Sequence, residues 1–80
     1  MEVHLDTPTS AVLRSMEPQL RDEKPLLYLV LRPQAMIDAG DPPALLHRFL
    51  ADLGYVPELL DESGDGTERW MFQHPDGTRP

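Results

Sequence analysis

The residues whose types and spacing could do chemistry gather in the last third of this chain. Asp61, Ser63, Asp65 and Gly66 stand at positions 1, 3, 5 and 6 of a calcium loop, where oxygen ligands alternate ahead of a glycine bend. The pattern then breaks: position 8 calls for an apolar residue and is Glu68, and position 12 calls for a bidentate glutamate and is Phe72. Asp and Gly in this density make a solvated hairpin turn without any ion. Gly64 and Gly66 do not make a phosphate loop, because neither a third glycine nor a lysine follows and the next element reads as a strand rather than a helix N-terminus. His4, His47 and His74 are the only histidines, none spaced to chelate within one element, and there is no cysteine to complete a set. No metal and no cofactor is therefore expected. Two histidines with Arg69 steadying a phosphate would be an acid–base arrangement. Nothing in the spacing brings them together, so no catalytic residue is assigned. His47 is expected on the exposed side of a helix, and His74 at the opening of a turn.

The charge balance points the same way. Seven basic residues face fourteen acidic ones, a formal net charge of −7, which disfavours a general nucleic-acid binder because phosphate backbones are repelled. Six of the seven cations are arginine, suited to planar bidentate contacts, although a GC-rich genome produces the same skew. The longest apolar run, 26–31, is six residues, far short of a membrane span. The opening Met-Glu-Val-His has neither a basic region nor an apolar signal core. With no cysteine, the reading is an untargeted cytoplasmic protein with no membrane partner.

The elements that must position these residues are legible from periodicity. Asp41 to Gly54 (DPPALLHRFLADLG) has the clearest start, face and stop. Asp41 suits an N-cap, the two prolines suit the first turn, and Gly54 suits the left-handed residue that ends a helix. Leu45, Leu46, Phe49, Leu50 and Leu53 fall within an arc of about 140°. Upstream, Leu26 to Arg32 is apolar almost throughout and bracketed by Pro25 and Pro33, as a central strand would be. Thr7-Pro8 reads as a cap opening a short helix through Val12, Leu13 and Met16, ended by Pro18, with Gln19 to Lys24 as a polar linker. Gln34 to Ala39 suits one helical turn with Met36 and Ile37 inward. Downstream, Tyr55 to Leu60 and Thr67 to Gln73 form a hairpin around DESGDG. Pro57 marks an edge or bulge, and Trp70 and Phe72 share a face. Tyr55 and Trp70 most often pack as core in a domain this small; an exposed one would anchor a protein interface. Met1 to Asp6 alternates like a short edge strand, but chain ends fray, so 1–7 and 75–80 are expected to be tails.

From Leu45 onward the chain resembles the small toxin ribonucleases of the HicA family. The matching residues are Leu53-Gly54-Tyr55 at a helix end and Met71-Phe72-Gln73-His74-Pro75-Asp76-Gly77 at a strand running into a turn. That resemblance implies an RNA-binding module in which Arg48, Arg69, Arg79 and His74 meet RNA. The family's catalytic histidine follows a Gly-Ser pair at the start of the second strand, where this sequence has Thr67-Glu68-Arg69. The resemblance therefore implies binding without cleavage. Val12 to Leu31, with Ser15-Met16-Glu17-Pro18-Gln19-Leu20 ahead of an apolar strand, is similar to openings of bacterial ACT-like amino-acid-sensing domains, which would make the chain a small-ligand sensor.

The fold expected is one α+β domain over 1–80: a small antiparallel or mixed three-stranded sheet packed on one main amphipathic helix, with a short N-terminal helix. With few helices to cover it, one sheet face stays open, and an open face or edge is a docking site for a second copy or another protein. The leading functional expectation is a small acidic, non-catalytic interaction domain that binds a protein partner through Glu58, Asp61, Glu62, Asp65, Tyr55 and Trp70.

Overall fold

A computed structural model describes residues 2–76. In chain order the elements are β1 (Glu2–Asp6), α1 (Ser10–Ser15), α2 (Glu17–Glu23), β2 (Leu26–Leu31), α3 (Pro33–Asp38), α4 (Pro43–Asp52), β3 (Val56–Glu62) and β4 (Glu68–Gln73). The architecture is mixed α+β, with one sheet in the order β1-β2-β4-β3. β1 runs parallel to β2, and β4 lies antiparallel between β2 and β3. The sheet has four strands rather than three. The extra one is β1, an edge strand as its alternation suggests rather than part of a tail at 1–7; it pairs Val3 with Leu27 and Leu5 with Leu29 and so places its apolar residues beside the most buried ones of β2. Parallel neighbours need a crossover, which α1 and α2 supply.

β2 alternates strictly between partly buried and buried, and its buried residues, Leu27, Leu29 and Leu31, share one sheet face. The same apolar cluster takes in Leu13 of α1, Leu20 of α2, Met36 of α3, Leu46 and Leu50 of α4, and Tyr55 and Phe72. Each helix contributes to that cluster, which leaves Tyr28 and Val30 on the other face.

Several local expectations are corrected. Gln19 to Lys24 is not a linker: α2 begins at Glu17 with Pro18 in its first turn, where a missing N–H costs nothing, and ends on Lys24 in the left-handed conformation (φ 46°). The cap of α1 is Thr9, whose Oγ1 accepts the Val12 N–H, rather than Thr7. Met36 is buried, but Ile37 is 53% exposed, since adjacent residues of a helix point about 100° apart and this short helix turns only its Met36 side to the core.

The largest correction concerns Asp41. Its carboxylate does not cap α4. Instead it reaches across to α1, accepting Ser10 N–H at 2.8 Å and Ser10 Oγ–H at 2.6 Å. Those two bonds, side chain first, hold the Asp41 carboxyl below its usual pKa. The cause lies in how α3 stops. Gly40 (φ 79°) donates to the Ile37 carbonyl and Asp41 N–H to the Met36 carbonyl, a Schellman turn that fixes the Asp41 backbone and sends its side chain away from α4. α4 begins at Pro43 without a side-chain cap, its first position lacking an N–H to satisfy.

α4 is also rotated by roughly 50° from the centre of its five apolar residues. Leu46 and Leu50 are fully buried, Leu45 is 45% exposed, and His47 is drawn inward. The His47 ring meets the edge of Trp70 at 4.7 Å and tilts against Phe72 at 5.2 Å between centroids. It is not the surface histidine that the helical wheel suggests. Burial lowers its pKa, opposed by the Glu68 carboxylate. At the other end Gly54 N–H reaches the Ala51 carbonyl and Tyr55 N–H the Leu50 carbonyl, a second Schellman turn with Gly54 at φ 95°. Gly54 has a further constraint: a Cβ there would lie 2.7 Å from His74 Nε2.

Candidate interaction edge

The strand bearing most of the acidic candidates is the least buried in the sheet. All seven residues of β3 are exposed, and one side of it is paired only with β4 while the other is a free edge. Two causes combine. β3 lies at the margin of the sheet, with β4 as its one strand neighbour. Its alternation is also broken: the register shifts between Leu59 and Asp61, so that Leu60 and Asp61 face the single residue Arg69 as a bulge. Val56, Leu59 and Leu60 are left 57%, 46% and 46% exposed.

The acids divide into those engaged within the chain and those without an ion pair among the described residues. Asp61 receives Arg69 Nη1 at 2.7 Å. Asp65 Oδ1 accepts Thr67 N–H at 3.0 Å, and hydrogen bonds from the Thr67 backbone and then its side chain lower the Asp65 pKa. With Gly66 (φ 90°) donating to the Ser63 carbonyl and Ser63 N–H to the Thr67 carbonyl, Ser63 and Asp65 of the alternating 61, 63 and 65 spacing shape a turn. Among the described residues, Glu58 and Glu62 form no ion pair, and no group of three or more His, Asp or Glu is placed to hold a metal. Glu62 is moreover registered directly opposite Glu68, a like-charge pair across the strands.

The two aromatic candidates lie elsewhere. Tyr55 is a core residue, 3% exposed, its hydroxyl donating to the Pro25 carbonyl at 2.8 Å and pushed up to about 12 by burial. Trp70 is partly buried against the core, its Nε1–H donating to Glu68 Oε1 at 2.9 Å. Neither stands on the β3 edge.

The arginines and histidines do not converge. Arg48 lies on the exposed side of α4, whereas Arg69 alternates with Trp70 and so points to the opposite sheet face. Arg79 lies outside the described residues. His4 stacks on Tyr28 at 4.8 Å on the open face. His74 meets Tyr55 edge-on at 5.5 Å, and its Nδ1 accepts the Asp76 N–H at 3.0 Å. The Gly54, Tyr55 and His74 positions thus touch one another as a packing unit.

No protein-family model, curated protein or solved structure matches this chain. No helix among the described residues is long and apolar enough to cross a membrane.

Two concavities accompany the edge. On the open face, His4, Tyr28, Val30, Leu60 and Arg69 line a shallow groove of about 380 Å³. Between α3 and the hairpin turn, Arg32, Gln34, Ile37, Glu62 and Asp65 line a cleft of about 540 Å³. Sequence reasoning had no sign of either, because residues distant in the chain make them. Pro57 signalled an edge or a bulge; β3 is the edge strand, and its bulge lies three residues further on at Leu60.

Proposed function

We propose that this chain is a small acidic, non-catalytic interaction domain whose working surface is the β3 edge and the β3–β4 turn. The observation that carries this reading is a seven-residue strand exposed throughout, with one backbone edge unpaired and three large apolar side chains in water. In a domain of eighty residues, apolar surface left out of the core is a cost, and a binding partner is the common reason to retain it. The rest of the molecule reads as scaffold: β2 at the centre, helices on one face, and the Asp41 bridge tying α1 to the α3–α4 junction.

The experiment is affinity capture from a lysate of the source organism with and without nuclease, run in parallel with a chain carrying Leu59→Lys and Glu58→Lys. The expected result is a stoichiometric protein that survives nuclease and is lost from the substituted chain. A captured protein that both chains hold equally removes β3 from the account. Recovery of RNA, or of proteins released by nuclease, favours the HicA-like reading instead.

A further inference from the structure

We infer that the β3 edge takes an extended, cationic segment of a partner protein as a fifth strand, and that it is built to refuse a second copy of itself. This deepens the interaction reading above and rests on it.

An edge strand presents a row of unpaired N–H and C=O groups, and a strand laid beside it at about 4.8 Å satisfies them. β3 has seven residues to offer, and its far side is the end of the sheet.

Charge selects the occupant. β3 carries Glu58, Asp61 and Glu62 and no cation. Asp61 already has Arg69, but Glu58 and Glu62 have no ion-pair partner among the described residues, and Glu62 faces Glu68 across the ladder. A lysine or arginine on an added strand, opposite Glu62, would stand about 5 Å away between Cβ atoms, the distance at which cross-strand charges are felt. It would sit where two carboxylates now oppose each other. A second copy would bring three further acids to the same edge, into a chain of net charge −7. Pro57 and the bulge at Leu60 shorten the flat stretch that two identical edges would need.

The side-chain pattern narrows the segment further. Alternation places Leu59 with Trp70 on the helix-covered face and Glu58 with Met71 on the open one. The fitting strand therefore carries an apolar residue beside Leu59, flanked by basic residues beside Glu58 and beyond the bulge.

The test reads amide hydrogen exchange of the full chain by NMR in the presence of a capped peptide with a valine placed beside Leu59 and arginines placed opposite Glu58 and Glu62, with a peptide carrying glutamate in place of each arginine as comparison. Alternate β3 amides should slow by about tenfold or more with the basic peptide only. That protection should fall with salt and be lost when the peptide is N-methylated at alternate residues. In a chain carrying Glu58→Lys and Glu62→Lys the preference should invert toward the acidic peptide; both substitutions are on exposed side chains, so the fold is retained as the control. Equal protection by both peptides, protection at β1 instead of β3, or a free chain already dimeric with protected β3 amides would each overturn the proposal. Shifted hairpin resonances with unchanged β3 exchange would overturn strand addition alone and leave the interaction reading standing. Failure of the capture experiment to yield any protein partner would remove that reading itself.

Discussion

β2 and β3 are strands of similar length in one sheet, separated only by β4, yet they have opposite fates. β2 buries every second residue and forms the centre of the core, whereas β3 buries none. β2 is apolar at all six positions and β3 carries three acids among its seven, yet composition does not explain why Val56, Leu59 and Leu60 stay exposed. Position does: β2 has a neighbour on each side and helix residues on one face, and β3 has one neighbour and a bulge. The sheet thus separates into a part that is buried in the core and a part that is left exposed.

The sharpest way to break this contrast is to truncate one leucine in each strand. Leu29→Ala should cost about 2–5 kcal/mol, the range for a fully buried leucine, which is much of the stability of a small domain. Leu59→Ala should cost under about 1 kcal/mol, because its side chain is half in water already. Urea unfolding of the two variants gives the comparison directly, and similar losses would show that β3 is structural after all.

The Asp41 bridge comes next. Asp41→Ala should lose about 1 kcal/mol, as expected for removing a helix N-terminal cap, and the effect should be felt at α1 rather than α4. Because the folded-state pKa of Asp41 is depressed, its contribution is present above the ordinary 3.8 and disappears as pH falls through the lower folded value. Asp41→Asn should flatten that part of the acid-unfolding curve.

His47 gives a smaller effect in a different window. Burial depresses its folded pKa below the usual 6.5, so the unfolded chain binds the proton more readily. Its neutral ring contributes full stability above 6.5, and that contribution declines as pH falls from there toward the folded value. Stability measured across mildly acidic pH should show this slope, and His47→Phe should remove it. Trp70 fluorescence should follow the same titration, since its ring lies 4.7 Å from the imidazole.

The smallest effect belongs to the edge itself. Arg69→Ala breaks an exposed ion pair with Asp61 and should leave the unfolding midpoint within error. A large shift would mean that the bulge depends on that pair and is not merely decorated by it.

What was legible in the sequence follows the same division. Elements with their own local signals were readable: the proline-fenced apolar run of β2, the glycine that stops α4, and the Asp/Gly turn before β4. Partners chosen at long range were not. Asp41 has the composition of a cap for the helix that follows it, but the Schellman turn at Gly40 aims it at Ser10, thirty-one residues away. His47 looks polar and outward on a helical wheel until Trp70 and Phe72 are placed beneath it. The acids at 58, 61, 62 and 65 were visible as a group, but only the strand register separates those that shape the turn from those left free.

The most direct test of the central claim is a residue-by-residue map of the captured partner's footprint, read by cross-saturation NMR on the complex. The account predicts that the affected residues run along β3 and into the turn at 63–67, leaving α4 and the β1 edge unchanged. A footprint centred on His4, Tyr28 and Val30, or on the exposed side of α4, would contradict it.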